Sequence, residues 1–127
     1  MVLGTRFRGD HVVALLPPIT LADCRIAAQE AFGVTKEQMC SKGRGVVRIA
    51  RARQVAVALG RELAGASYPT LGWFFDRDWH TVRYAVQRVH DLRSRNETVK
   101  ERYALARRLA FIVADNRRAS TRLLTRT

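Results

Sequence analysis

The stretch from Asp78 to Arg95 constrains the fold most, because its apolar and polar residues separate onto two sides of a helix. Apolar residues recur at three- and four-residue steps and form one stripe, which consists of Val82, Ala85, Val86, Val89 and Leu92. The other side carries His80, Arg83, Gln87, Arg88 and Asp91. The Asp78 carboxylate can accept the free backbone N–H groups of a first helical turn. The pattern therefore predicts an amphipathic helix that begins at Asp78.

A shorter helix is predicted just before this one, over residues 67–74. Ser67 can cap its start, and Pro69 falls in the first turn, where proline is tolerated. A short helix, a tight turn and a longer basic helix together make the helix-turn-helix pattern. A basic, hydrogen-bonding face that starts at a helix N-terminus is suited to the major groove of duplex DNA.

Four further helices are predicted from capping residues and glycine stops. They are Leu21–Phe32 between Thr20 and Gly33, a short helix opened by Thr35 and Gln38 that runs to about Cys40, Val46–Ala64 before Gly65, and Glu97–Asp115 after Asn96. We therefore expect an all-α, compact helical domain over residues 20–115. Residues 1–19 are expected to be a partly ordered lead-in, and residues 116–127 a basic, flexible tail.

The basic charge is concentrated in the central and C-terminal parts of the chain. The net charge is +12 over 127 residues. Residues 41–95 hold 11 basic and 4 acidic side chains, and residues 96–127 hold 8 and 3, whereas residues 1–40 hold 4 of each. A strongly basic domain indicates a polyanionic partner, and nucleic acid is the first candidate. The alternative, a solvated basic surface, does not require so one-sided a distribution.

Several other classes of protein are disfavoured by the sequence. No window approaches the roughly 20 apolar residues of a membrane span. Cys24 and Cys40 have no CxxC spacing, and the three histidines have no metal-ligand spacing, so we expect reduced thiols, as in the cytoplasm, and no metal. The sequence has no GxxxxGK[ST] phosphate loop, so an ATPase is not expected. It also has no nucleophile–base pair, so we expect neither another enzyme activity nor a cofactor.

Four motifs occur in order at fixed separations, and they carry a family resemblance. They are Arg51–Leu59 (RARQVAVAL), Arg61–Leu63 (REL), Ser67–Gly72 (SYPTLG) and Arg77–Ala85 (RDxxTVxxA). With Ala31–Thr35 and Ser41–Lys42, they resemble the C-terminal DNA-binding domain (domain IV) of DnaA, the bacterial replication initiator, over roughly residues 21–109. The resemblance implies an all-α fold related to the Trp repressor that binds a short duplex DNA element. We expect a free-standing DNA-binding protein without the initiator's ATPase module.

The resemblance also implies roles for individual residues. A basic loop that contains Lys42 and Arg44 would enter the minor groove with Arg44 as its arginine, and Gly45 is the alternative match for that position. Arg53, Gln54 and Arg61 would hold phosphates or flank the groove, Pro69 would lie near a thymine methyl, Asp78 would accept from a base amino group such as cytosine N4, and Thr81 would bind backbone phosphate. Arg77 belongs to the same expected interface.

The sequence departs from the family at the start of the recognition helix. The family usually has Gly-Gly-Arg-Asp-His-Thr-Thr where this chain has Phe75-Asp76-Arg77-Asp78-Trp79-His80-Thr81. Trp79 could be a buried core aromatic, although its helical phase lies off the apolar stripe. His80 could be an ordinary surface histidine or a donor to guanine, and Arg83 could bind guanine bidentately. We therefore expect a DNA target different from the initiator's own element.

The favoured interpretation is a sequence-specific double-stranded-DNA-binding regulator, a transcription factor associated with the nucleoid. One alternative is a replication-control protein that acts at origin-type sites. Another is a helical adaptor whose last helix, with Phe111 and Ile112, recruits a protein such as RNA polymerase or another regulator. The sequence leaves these alternatives and the oligomeric state open.

Overall fold

The computed structural model describes residues 18–42 and 46–126, with side chains described up to residue 121. This part of the chain forms six α-helices and no strand: α1 Leu21–Phe32, α2 Lys36–Cys40, α3 Val47–Leu63, α4 Tyr68–Phe75, α5 Trp79–Arg95 and α6 Glu97–Arg126. The predicted all-α class is confirmed. The predicted lead-in falls almost wholly outside the described residues.

Most of the helices begin where a polar side chain accepts a backbone N–H group of the first turn. The acceptors are Thr20 for α1, Thr35 for α2, Ser67 for α4, Asp78 for α5 and Asn96 for α6. At α1 the cap is reciprocal, because the backbone N–H of Thr20 also donates to the Asp23 carboxylate at 2.9 Å. Each of these caps satisfies a donor that has no partner inside its own helix. The capping predictions are confirmed.

The centre of the domain is α3, which packs against α1 on one side and against α5 on another. Its buried face includes Val55 and Leu59, which are fully inaccessible to solvent. A Cβ atom added at Gly60 would lie 2.7 Å from a Leu21 side-chain atom and 2.8 Å from one of Leu71. The glycine therefore lets α1 and α4 approach the same turn of α3.

The last helix is longer than the sequence pattern predicted. A flexible tail over residues 116–127 stays a prediction, whereas the expected helix end near Asp115 is wrong, because α6 continues to Arg126. Arg117 supplies the reason, since its Nε and Nη2 atoms donate to the Asp23 carboxylate at 3.1 and 2.9 Å. Its Nη2 atom also donates to the Pro18 carbonyl at 2.9 Å. Arg117, which was expected to lie in a flexible tail, thus joins α6 to the residues at the start of α1.

Asp23 is the acidic side of this contact and is 1% exposed. Burial alone would raise the pKa of its carboxyl group, but the hydrogen bonds from Arg117 and Thr20 outweigh that effect and hold the pKa below its ordinary value. The ionised carboxylate is therefore stabilised in the fold, with partners from both ends of the described chain.

Candidate nucleic-acid interface

A tight turn fixes the angle between α4 and α5. Asp76 ends α4 in the left-handed conformation with φ of 55°, and the Arg77 backbone N–H then donates to the Gly72 carbonyl at 2.8 Å. A Cβ atom added at Gly72 would lie 2.6 Å from the Arg77 carbonyl oxygen, a backbone atom that cannot rotate away. Below the turn, Leu71 and Val82 pack in a small buried cluster. The helix-turn-helix is thus held by close backbone contact as well as by its core.

The polar face of α5 (His80, Arg83, Gln87 and Asp91) points to solvent, while the stripe that includes Val82 and Val89 is buried. Trp79 lies beside this face and is 44% exposed, so the core-aromatic alternative is not supported. Its ring stacks on the His80 imidazole, with centroids 3.9 Å apart. The first five residues of α5 therefore present the Trp79–His80 aromatic pair and the Arg83 guanidinium to solvent.

The loop after α2 is fastened to the turn between α4 and α5. The Lys42 ammonium group lies 2.6 Å from the Asp76 carboxylate and lowers the pKa of that exposed group. Arg77 donates to the Ser41 carbonyl at 2.8 Å. These two contacts bring the start of the Lys42–Arg44 loop beside the N-terminus of α5. Arg44 itself lies outside the described residues.

Arg53 is also directed toward this loop. Its Nε atom donates to the Met39 carbonyl at 2.9 Å, and its Nη2 atom donates to the Gln38 carbonyl at 3.2 Å and to Ser41 Oγ at 3.1 Å. Burial, followed by the nearby charge of Arg77, lowers the pKa of Arg53. The guanidinium therefore closes the C-terminal end of α2 and leaves only Nη1 for another partner.

Arg61 has internal partners as well. It donates to the Ala66 carbonyl at 3.0 Å, and its guanidinium lies 4.3 Å from the centre of the Tyr68 ring. Gln54 accepts a hydrogen bond from Arg51 at 2.8 Å. By contrast, Arg83 has no carboxylate within 4 Å in the described part of the chain.

Eight of the eleven predicted site residues that the structure describes line two grooves. The first, here called the α4 groove, is lined by Lys42, Pro69, Gly72, Trp73, Asp76, Arg77, Asp78 and Trp79. The second, the α3 groove, lies between α3 and α5 and is lined by residues that include Arg53, Gln54, Arg77, Thr81 and Tyr84. Arg61, His80 and Arg83 are not part of either lining.

Two exposed aromatic residues of this surface were missed by sequence reasoning. Trp73 in the α4 groove is 82% exposed, and Tyr84 in the α3 groove is 59% exposed. Helical phase could have found Tyr84, which follows Thr81 by three residues on the same helix. Trp73 carried no such signal, because α4 is short and apolar around its circumference.

The described residues offer little for other chemistry. They contain no cluster of three metal-ligating side chains, and within them no helix is long and apolar enough to cross a membrane. Both cysteines are free thiols. Cys24 is buried, and burial, with the charges of Asp23 and Glu62, raises its pKa to about 12. Such a thiol stays protonated and unreactive at neutral pH.

An all-α domain with a fixed turn and an exposed basic helix defines the helix-turn-helix class of DNA-binding domains. The model of a family described as the bacterial DnaA protein helix-turn-helix matches residues 26–89, which are 64 of the 127 residues. The chain belongs to this family, and the resemblance stated from its motifs is confirmed.

Curated relatives agree with this assignment. The chain is 38% identical over 85 residues to proteins named chromosomal replication initiator protein DnaA from Tropheryma whipplei strains Twist and TW08/27. The alignment covers 67% of this chain and 16% of each relative. The similarity thus concerns a small part of the initiators.

Proposed function

We propose that the protein is a sequence-specific regulator that binds double-stranded DNA with α5 in the major groove. The observation that carries this proposal is the start of α5, whose first five residues present Trp79, His80 and Arg83 to solvent after a turn of fixed geometry. Membership of a DNA-binding helix-turn-helix family and the net charge of +12 support it.

Base contacts are assigned to the residues that point away from the domain. Arg83 has no carboxylate partner among the described residues, so its guanidinium is available for a bidentate contact with guanine. Asp78 uses Oδ1 for its cap, which leaves Oδ2 to accept from a base amino group. His80 would donate to a base acceptor from the exposed turn. These three residues would supply the direct recognition of sequence.

Other residues would position the duplex. Lys42 and Arg44 would direct the loop toward the minor groove, Pro69 would lie near a thymine methyl, and Thr81, Gln54 and Arg61 would contact or flank the phosphate backbone. We assign Arg53 and Arg77 chiefly to holding the loop after α2 and the turn in place, since most of their donors already bind carbonyl groups of α2, the loop and the turn.

The biological role we favour is transcription regulation at the nucleoid. Trp79 and His80 stand where the family usually has histidine and threonine, and this favours a target different from the initiator's element. The second candidate is replication control at origin-type sites, and it is favoured by the name of the relatives, chromosomal replication initiator protein. A recruiting role would use Phe111 and Ile112 on α6, which are 46% and 53% exposed, to contact RNA polymerase or another regulator.

Substitution of the α5 face tests the central part of this proposal. The cognate duplex is first obtained by selection of bound sites from a random duplex library. We expect Arg83→Ala to weaken binding to this cognate duplex by about 1–3 kcal/mol and to weaken binding to random duplex less. His80→Ala should change the preferred base at one position. The matched control is Arg108→Ala, which removes an exposed arginine from α6. Equal losses on cognate and random DNA would contradict base recognition by α5.

A further inference from the structure

The last helix, α6, carries two large apolar side chains that are about half exposed to solvent. Phe111 is 46% exposed and Ile112 is 53% exposed. One neighbour of the Phe111 ring is the Arg107 guanidinium, which lies 5.5 Å from the ring centre. Arg107 is itself bound to Glu62, because its Nε atom donates to the carboxylate at 2.8 Å. The rest of this apolar patch faces water, which is unfavourable unless another surface covers it.

Two charged side chains flank the patch at equal distances. Arg108 precedes Phe111 by three residues, and Asp115 follows Ile112 by three residues. Both side chains are exposed. Unlike Arg107, neither of them has an ion-pair partner within 4 Å among the residues that the structure describes. A cation and an anion therefore remain available on opposite sides of the patch.

Two small residues continue the same arrangement. Ala104 stands seven residues before Phe111, and Ala119 stands seven residues after Ile112. At 3.6 residues per turn, these two alanines, the two charged residues and the apolar pair fall within about 100° of arc on one side of α6. Small side chains let a second helix approach closely. We call this side the α6 face, and it consists of Ala104, Arg108, Phe111, Ile112, Asp115 and Ala119.

The α6 face is complementary to an antiparallel copy of itself. A two-fold axis midway between Phe111 and Ile112 would set Phe111 of one copy beside Ile112 of the other. The same axis would set Arg108 of each copy beside Asp115 of the other. Each contact occurs twice, because a two-fold interface uses the same patch on both copies. Equal spacing of opposite charges about an apolar centre therefore favours a second copy over an unrelated partner.

We propose that the α6 face binds a second copy of this chain as an antiparallel, two-fold symmetric pair of α6 helices. Ala104 and Ala119 lie about 22 Å apart along the helix, so the contact is smaller than a standard interface. The dimer is therefore weak, with a dissociation constant of about 10–100 µM. The contact uses no residue of α5, so Arg108→Ala should not change binding to a duplex that holds a single site.

Sedimentation equilibrium of the full chain tests the pairing without DNA. The concentration series spans the expected dissociation constant in about 0.15 M salt, where charges more than about 8 Å apart are largely screened. We expect the unsubstituted protein to dimerise reversibly. Ile112→Ser should weaken the dimer about tenfold, because it removes an apolar contact on both sides of the axis. The matched control is Val47→Ser, which replaces a 68% exposed residue of α3 and should leave the dimer unchanged.

Reversal of the two charges is the sharper test. Arg108→Asp and Asp115→Arg should each weaken the dimer at least about tenfold, since each variant sets like charges against each other at both contacts. An equimolar mixture of the two variants should dimerise like the unsubstituted protein, because the carboxylates of one chain then meet the guanidinium groups of the other. The double variant should recover in the same way. A structural role of these residues within one chain would not produce recovery on mixing.

Two results would overturn the proposal. If the unsubstituted protein stays monomeric over the whole series, the α6 face is covered by something other than a second copy. The other candidates are residues 12–16 (VVALL), which lie outside the described residues, and a different protein. If the protein dimerises but the mixture does not recover, the dimer uses another surface. Thermal melting followed by circular dichroism shows that each variant is folded. None of these measurements involves DNA, so failure of the dimer leaves the proposed function standing.

Discussion

Arg53→Ala is expected to destabilise the domain, because its guanidinium holds the loop after α2. Three hydrogen bonds are lost: those to the Met39 carbonyl at 2.9 Å, the Gln38 carbonyl at 3.2 Å and Ser41 Oγ at 3.1 Å. A hydrogen bond to a charged group typically contributes about 1.5–3 kcal/mol. Since Arg53 is only partly buried, water replaces some of these interactions, and we expect a total loss of about 3 kcal/mol.

Urea denaturation measured by circular dichroism determines this loss. The free energy of unfolding should fall by about 3 kcal/mol while the slope against urea stays constant. Arg53→Lys is the informative companion, because an ammonium group keeps the charge but cannot span two carbonyls and a hydroxyl as a fork. The lysine variant should therefore lose most of the same stability.

A direct phosphate role for Arg53 predicts a different pattern. In that case Arg53→Ala would keep its stability, its affinity for cognate and random duplex would fall about equally, and the salt dependence would decrease by about one counterion. Arg53→Lys would then bind nearly as well as the unsubstituted protein. That combination of results would refute the proposal that Arg53 acts chiefly by holding the loop after α2.

Two further predictions concern the contacts that shape the domain. Arg117→Ala should lower the free energy of unfolding by about 1–2 kcal/mol at neutral pH. Because the folded-state pKa of Asp23 is depressed, its contribution is present above the unfolded value of about 3.9 and is lost as pH falls through the folded value. Urea titrations at several pH values should show the two proteins converging in acid, and a constant gap would contradict the ion pair. Gly72→Ala should cost about 1–3 kcal/mol and weaken base discrimination, because its Cβ would lie 2.6 Å from the Arg77 carbonyl oxygen. Normal melting and normal selectivity in that variant would show that the turn can open freely.

The starts of the helices could be predicted from sequence because capping is local. Thr20, Thr35, Ser67, Asp78 and Asn96 each accept an N–H group two or three residues ahead. The buried stripe of α5 followed from the spacing of its apolar residues for the same reason. The phase of that helix also indicated that Trp79 lies off the core, as the structure shows.

The contacts of the arginines could not be predicted, because their partners are distant along the chain. Arg53 binds groups 12 to 15 residues away, Arg77 binds Ser41 at 36 residues, and Arg117 binds Asp23 at 94 residues. A charge pattern on one helix contains no information about which buried acceptor it will meet. The expected helix end near Asp115 was wrong for this reason.

The location of the candidate site could be predicted from the sequence, but the roles of its individual residues could be predicted less well. Helical phase indicated the polar face of α5, and the motifs indicated the loop at Lys42. Neither could show which cationic side chains remain available to bind DNA after folding. In the described residues, Arg53 binds the Met39 and Gln38 carbonyls, whereas Arg83 has no carboxylate within 4 Å. The part of the loop that contains Arg44 lies outside the described residues, so its minor-groove role stays a prediction.

Selection of bound sites from a random duplex library at physiological salt tests the central claim most directly. Sequence-specific binding by α5 predicts enrichment of one motif of about one helical turn, with a guanine at the position that Arg83→Ala makes degenerate. The motif should differ from the initiator's element where Trp79 and His80 face the bases. Binding that follows salt concentration without enrichment of any sequence would contradict the account.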